Sequence, residues 1–144
     1  MKNTNQSPRP QPRQPVDAPH LVGSADVAEL VDLMNIRSGS TRPDELPCII
    51  VSPTMTQNLG YSSGNQKSAR ILIDVHVWAA DDGIDTAWKI GFAACNALYD
   101  APPAEGLTVV EWEKPLIRWM RDPDPERTLC HGVMSINAVV MWKE

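Results

Sequence analysis

The chain has 144 residues, including 13 Lys or Arg and 18 Asp or Glu, for a formal net charge of −5. This length suffices for one domain with one core and is too short for two ordinary domains. An acidic chain is poorly suited to gripping a nucleic-acid backbone, because that affinity comes from Lys and Arg displacing counterions. No apolar run approaches the roughly 18 residues of a membrane span, so we expect neither a span nor an exported protein.

The first 20 residues differ from the rest in composition. They contain almost no large apolar side chain, so they cannot bury enough surface to offset the entropy of ordering. Three basic residues and one acidic residue give this segment a net charge of +2, which leaves −7 for the remainder. We predict a flexible arm over residues 1–20 and a single α+β domain over residues 21–144. Five prolines lie in the arm: Pro8, Pro10, Pro12, Pro15 and Pro19.

Residues 26–34 have helical periodicity. Asp26 with Glu29 three residues later resembles a capping box, so Asp26 is the predicted N-cap. The apolar positions then recur at i, i+3, i+4 and i+7, which predicts a short amphipathic helix. They are Val27, Leu30, Val31 and Met34.

A continuous apolar run, Cys48–Val51, predicts a strand covered on both faces. The following segment, residues 53–68, is polar and lies before a second strand. A structureless connection of that length is uncommon in a compact domain and is usually functional. We therefore predict a long β-hairpin that projects from the body and contacts a partner.

The second strand, Ile71–Trp78, has an aliphatic residue at every other position from Ile71, with Leu72, Asp74, His76 and Trp78 between them, the period of two that a sheet with one buried face requires. Helical spacing follows it, and Asp81 and Asp82 stand where a helix dipole favours acids. Several small residues allow this helix to lie close to the sheet. The predicted apolar stripe comprises Ile84, Ala87, Trp88, Gly91, Ala94, Cys95 and Leu98.

Two further strands are predicted near the carboxyl end. One runs over residues 107–120 and is interrupted at Pro115, which cannot donate to a ladder. The turn at residues 121–127 leads into the other, Leu129–Trp142, whose alternate residues from Cys130 onward face the core. The predicted fold is therefore α+β: a four-stranded, mainly antiparallel sheet (β-β-α-β-β), one long helix on one face, a short N-terminal helix and a long protruding hairpin.

Few residues suggest catalysis. Asp74, His76 and His131 can form a polar group across two strands, and this is the sharpest enzymatic hypothesis. The alternative is a cross-strand surface pair. Neither the histidines nor the cysteines Cys48, Cys95 and Cys130 have the short spacing typical of zinc ligands. We expect buried thiols, no metal and no cofactor.

The five tryptophans admit two interpretations. They suit base stacking in a single-strand nucleic-acid binder, and they suit packing in a core or interface. Their places on predicted strands and on the helical stripe favour packing. They are Trp78, Trp88, Trp112, Trp119 and Trp142.

The order and spacing of four short segments resemble a known family, the tail-completion proteins of long-tailed bacteriophages, also called tail terminators or head–tail joining proteins. The segments are Val75–Trp78, Ala97-Leu98, Arg121–Asp124 and His131–Val133, and the resemblance covers the chain from Pro47 onward. It implies a small α+β subunit that forms a closed ring, typically a hexamer, at the head-proximal end of the tail tube. Such a ring ends tube polymerisation and docks on the capsid neck.

The resemblance implies as partners other copies of the chain, the tail tube protein and a head–tail connector or neck protein, in a virion assembled in the host cytoplasm. Genome DNA would pass through the ring without specific binding, and an acidic lumen would repel it. The alternatives are another neck component and, in a different class, a small cytoplasmic enzyme. The candidate interface residues are Gln57, Leu59, Tyr61, Asn65, Lys67, Arg121, Asp122, Asp124 and Arg127.

Overall fold

A computed structural model describes residues 24–31, 35–39, 45–62, 64–80, 85–121 and 129–143. These residues form two helices and six strands. In chain order they are α1 (Ala25–Leu30), β1 (Ile36–Ser38), β2 (Cys48–Ser62), β3 (Gln66–Ala80), α2 (Asp85–Ala97), β4 (Thr108–Trp112), β5 (Leu116–Arg121) and β6 (Leu129–Lys143).

The strands form one mixed sheet in the order β1-β2-β3-β6, with β4 and β5 both paired to the far side of β6. The pairing of β1 with β2 is parallel, and the other pairings are antiparallel. The two 15-residue strands β3 and β6 pair along their whole length, from Gln66 opposite Lys143 to Ala80 opposite Leu129. They form the centre of the sheet.

The prediction of four strands was wrong in two places. The short strand β1 was not predicted, since three residues carry too little pattern to distinguish a strand from a helix end. The segment predicted as one interrupted strand is two strands, β4 and β5, separated at residues 113–115. The chain still follows β6 across this gap, because the Glu113 amide donates to the Asn137 carbonyl at 3.1 Å.

Helix α1 begins earlier than expected. Its N-cap is Ser24, whose hydroxyl accepts from the Val27 amide at 3.5 Å, so the prediction of Asp26 was wrong. Asp26 instead lies in the first turn, where the helix dipole favours an acid. Val27 and Val31 are buried as expected. Met34, and the predicted arm over residues 1–20, lie outside the described residues.

Helix α2 has 13 residues, an ordinary length rather than a long one. It packs on one face of the sheet over β3, β5 and β6, with α1 beside it. Its buried side is Ala87, Ile90, Gly91, Ala93 and Ala94, continued by Leu98 just past its end. The prediction of Trp88 in this stripe was wrong, since the ring points to solvent.

Close approach of α2 to the sheet depends on Gly91, as its small size predicted. A Cβ atom at this position would lie 2.7 Å from the Trp119 ring and 2.9 Å from Ile117. Gly132 on β6 has the same relation to Trp119, at 2.7 Å. The indole of Trp119 therefore occupies the space that two missing side chains leave.

The core lies between α1, α2 and one face of the sheet. Alternate residues of β3 and β6 point into it, as predicted from their period of two. The run Cys48–Val51 is buried on both faces, which confirms the prediction for that strand. On the side away from the helices, Cys48 and Ile50 pack with Trp78 and Leu129 in a second, smaller cluster.

Candidate subunit interface

The polar segment after Val51 is an extended hairpin rather than an irregular loop. Strands β2 and β3 pair from Cys48 opposite Trp78 to Ser62 opposite Gln66. Asn65 (φ 60°) and Gly64 (φ 80°) adopt left-handed backbone in the turn, which Asn and Gly tolerate best. From Pro53 to Tyr61 the side chains of β2 are exposed. The hairpin therefore presents one strand to the surroundings.

Two irregularities shape β2. Its register against β3 shifts between Pro53 and Met55 and again between Asn58 and Gly60. Gly60 has φ 90°, a backbone conformation that other residues rarely adopt. Such bulges bend a strand and re-aim its side chains.

The hairpin brings together five candidate interface residues. Gln57 and Leu59 are exposed on β2, Tyr61 and Lys67 are opposite each other near the tip, and Asn65 lies in the turn. The Tyr61 side chain is 73% exposed. Lys67 Nζ lies 5.8 Å from the centroid of its ring, within range of a cation–π contact.

Shallow concavities flank the tip. One of ≈350 Å³ lies on the Trp142 side, and another of ≈560 Å³ lies between Tyr61 and Lys143. Both combine polar side chains with the Tyr61 ring, and the first also includes Trp142, an arrangement suited to contacts with another protein surface. The first is lined by Asn58, Gly60, Tyr61, Lys67, Ser68 and Trp142.

The remaining candidates lie elsewhere. Arg121 ends β5 opposite Cys130, while Lys67 at the hairpin tip is opposite Trp142. Twelve residues of β6 separate these two positions, about 40 Å in a strand. The structure does not bring Arg121 near the hairpin. Asp122, Asp124 and Arg127 lie outside the described residues.

Helix α2 carries an exposed aromatic pair that the sequence pattern did not predict. Trp88 and Phe92 are 53% and 54% exposed, and their rings stack with centroids 5.3 Å apart. Their i, i+4 spacing was the available signal, but Trp88 also fits an apolar stripe. Exposed aromatic side chains of this size are typical anchors of protein interfaces.

The side of β4 and β5 away from the helices is also apolar in part. Val110 on β4 and Leu116 and Met120 on β5 are exposed large side chains. Single exposed apolar residues are ordinary, whereas groups of them mark interaction surfaces.

The polar group predicted across the strands forms in part. His76 Nδ1 and His131 Nε2 are 2.9 Å apart, one donating and the other accepting, and His131 stacks on Trp78 at 3.7 Å between centroids. Asp74 accepts instead from the Ser135 hydroxyl at 3.5 Å. Burial lowers the pKa of His76, and the Asp74 carboxylate partly opposes that effect. The lowered pKa favours the neutral imidazole of His76, beside a His131 ring that stacks on the Trp78 indole.

Two other observations concern chemistry. Burial raises the pKa of the half-buried Cys95, which keeps this thiol protonated. Within the described ranges no group of three or more His, Cys, Asp or Glu is placed to hold a metal ion. No described helix is long and apolar enough to cross a membrane.

Comparison with known proteins identifies the family. The profile of the family described as Tail completion protein gp17 matches residues 18–141. The chain belongs to this tail-completion family. The tail-completion fold is also similar to a chain in a solved structure titled "Virion of native gene transfer agent (GTA) particle", with a TM-score of 0.62 and 19% identity over 85% of this chain and 90% of that one. No curated protein matches the chain.

Membership in the tail-completion family confirms the resemblance drawn from the sequence. It supports a structural role for the chain in a phage tail.

Proposed function

We propose that this protein is a tail terminator: a homo-oligomeric ring, a hexamer, at the head-proximal end of the phage tail tube. The ring ends tube polymerisation and joins the tail to the capsid neck. The observation that carries this proposal is the match of the tail-completion family over residues 18–141. The partners are further copies of the chain, the tail tube protein and a head–tail connector or neck protein.

The distribution of exposed apolar side chains supports self-assembly. Tyr61 on the hairpin, Trp88 on α2 and Leu116 on β5 lie on three different elements and are all more than half exposed. A closed ring needs two different, complementary faces on each subunit, because each copy contacts one neighbour with one face and the next neighbour with the other. Separate apolar patches on one small domain meet that need.

We assign the hairpin residues Gln57, Leu59, Tyr61, Asn65 and Lys67 to one contact. A second contact contains Arg121, which lies about 40 Å from Lys67 along β6. Its residues are Arg121, Asp122, Asp124 and Arg127. One end of the sheet then serves the neighbouring subunit, and the other serves the tube or the neck.

The charge of the chain suits a conduit for DNA. Residues 21–144 carry a net charge of −7, whereas residues 1–20 carry +2. A lumen with excess carboxylates repels phosphate and lets the genome slide without binding. We expect assembly of the ring in the host cytoplasm and its retention in the virion.

Tails assembled without the protein test the proposal directly. Electron microscopy should show tubes of abnormal, uncontrolled length that fail to join filled heads, and purified protein added back should restore both. Tubes of normal length that still fail to join heads would instead identify another neck component. Normal tails with normal joining would overturn the proposal.

A further inference from the structure

Both long edges of the sheet are open along the hairpin half of the molecule. On the outer side of β2, the strand β1 pairs only with Ile49–Val51. Beyond Val51 none of the described strands covers that edge, and none covers the outer side of β4. Each edge therefore presents backbone N–H and C=O groups that another strand can pair with.

The edge of β2 lacks the charges that usually protect such strands. Natural edge strands carry Lys or other charges to prevent pairing with other chains. Residues 52–62 contain no charged residue, and exposed Met55 and Leu59 lie among them. Pro53 and the two bulges bend the strand, but they leave a stretch of regular pairing at Met55–Asn58.

The two open edges are level with each other. Gln57 is opposite Arg70 on β3, Arg70 is opposite Val139 on β6, and Val139 is opposite Glu111 on β4. By the same registers, Thr56 is level with Trp112. If a neighbouring copy is related to the first by rotation about an axis parallel to the strands, its β2 lies beside the β4 of the first copy. Gln57 of one copy and Glu111 of the other are then at the same level along the strand direction.

The strand directions are also compatible. Each step from β2 to β3, β6 and β4 is antiparallel, so β4 runs opposite to β2 within one copy. Rotation about an axis along the strands preserves their directions. The β2 of the next copy would therefore meet β4 in antiparallel orientation, the arrangement of most pairs within the chain.

Charge favours this partner. Residues 52–70 include Lys67 and Arg70 and no acidic residue, whereas residues 98–114 include four acidic residues and one basic residue, Lys114, which pairs with Asp100 at 2.9 Å. Arg70 already bridges Glu111 of its own chain at 3.7 Å. Glu105 and Glu113, at the two ends of β4, are exposed and form no ion pair within the described residues.

We propose that the outer edge of β2 around Thr56–Asn58 in one copy pairs with the outer edge of β4 in the next copy. The sheet then continues from subunit to subunit, and the occupant of each edge is a second copy of this chain. This inference rests on the self-assembly proposed above and specifies its contact. It joins two different edges, so it propagates around a ring, and no copy has an unpaired β4 edge or an unpaired Thr56–Asn58 edge when the ring closes.

Cysteine cross-linking of the full-length chain tests the pairing. Glu111→Cys is combined in turn with Thr56→Cys, Gln57→Cys and Asn58→Cys, which covers neighbouring registers. Under mild oxidation at least one double variant should form a ladder of covalent multimers up to the native size, and the single variants should form none. A strong dimer from Gln57→Cys alone would show that like edges pair and would overturn the proposal.

Proline substitution provides a second measurement. Successive N–H groups of a strand point to opposite sides, so of Thr56→Pro and Gln57→Pro one removes a bond to β3 and the other removes an outward donor. The outward variant should keep the thermal transition of the wild-type fold. It should raise the concentration needed for assembly about tenfold or more. Gln57→Ala is the matched control.

These experiments distinguish a failure of the edge pairing from a failure of the proposed tail-terminator function. Native mass spectrometry of the wild-type chain, alone and with tail tubes, comes first. The edge pairing would be overturned, and the tail-terminator function would remain, if the wild type forms a ring but no double-cysteine variant cross-links and neither proline variant weakens assembly. A chain that never self-associates under either condition would overturn both.

Discussion

The Trp119 indole lies between Gly91 of α2 and Gly132 of β6, and a Cβ atom added to either glycine would lie 2.7 Å from its ring. Helix, sheet and ring thus form one three-part contact. It fixes the distance between α2 and the sheet, which only small residues permit.

Replacement of Gly91 by Ala should therefore destabilise the fold. Ala is the better helix former by about 1 kcal/mol, but overpacking against Trp119 and Ile117 costs about 1–3 kcal/mol. Urea unfolding should show a net loss of stability for Gly91→Ala. The exposed helix position Asn96 is the matched control, where Asn96→Ala should be neutral or stabilising. A stabilised Gly91→Ala variant would show that the ring moves aside easily.

Two tryptophans should behave oppositely when replaced by Ala. Trp119 packs in the three-part contact but is only partly buried, so Trp119→Ala should cost about 2–4 kcal/mol, somewhat less than the cost of about 3–5 kcal/mol for a fully buried ring. Trp88 is exposed, so Trp88→Ala should change the free energy of unfolding by less than about 0.5 kcal/mol. If α2 contacts a partner, Trp88→Ala should still weaken assembly. Urea titration and native mass spectrometry measure the two effects separately.

The free energy of unfolding should decrease as pH is lowered through the range where histidine titrates. Burial lowers the pKa of His76 below its ordinary value of 6.5. The unfolded chain therefore binds more protons than the folded chain once pH falls through that value. The contribution is complete above pH 6.5 and is lost progressively as pH falls toward the lower folded pKa.

Unfolding midpoints in urea at pH 7.5, 6.5 and 5.5 measure this dependence. His76→Asn should flatten the slope relative to wild type over this range, in which most carboxylates remain ionised. An equal slope in both proteins would mean that His76 does not carry the effect. Assembly followed across the same pH values would show whether the pair of imidazoles also influences the oligomer.

The assembled ring should not retain double-stranded DNA at physiological salt. Its charge opposes phosphate, and binding through Lys and Arg would show a steep salt dependence. Fluorescence anisotropy with a labelled duplex, measured at low and at physiological salt, checks this expectation. A lumen lined mainly by Lys and Arg in a solved ring would contradict it.

Some features follow from local pattern. The period of two in Ile71–Trp78 and in Leu129–Trp142 predicts the central strands and their buried faces, because successive side chains of a strand point to opposite sides. The unbroken apolar run at Cys48–Val51 predicts burial on both faces for the same reason. The length and polarity of the segment after it predict the hairpin.

Other features depend on partners distant in sequence. Trp88 fits an apolar helical stripe by spacing, yet Ala87, Ile90 and Gly91 face the sheet, because small residues allow the closer approach. The choice between those two faces is a packing decision that spacing alone does not encode. Pro115 predicts an interruption in the segment 107–120. The pairing with β6 is what shows that this segment forms two separate strands, β4 and β5.

The sequence by itself determined the central strands β3 and β6, the hairpin, the acidic character and the family resemblance, since each is expressed in composition or in local pattern along the chain. The tertiary structure decided which edges stay open, which aromatic rings are exposed, and that Gln57 and Glu111 lie level across four strands. These relations arise from pairing between residues 13 to 69 positions apart, in the registers Gln57–Arg70–Val139–Glu111. Register is set by the packing of the whole sheet, and no local pattern carries it.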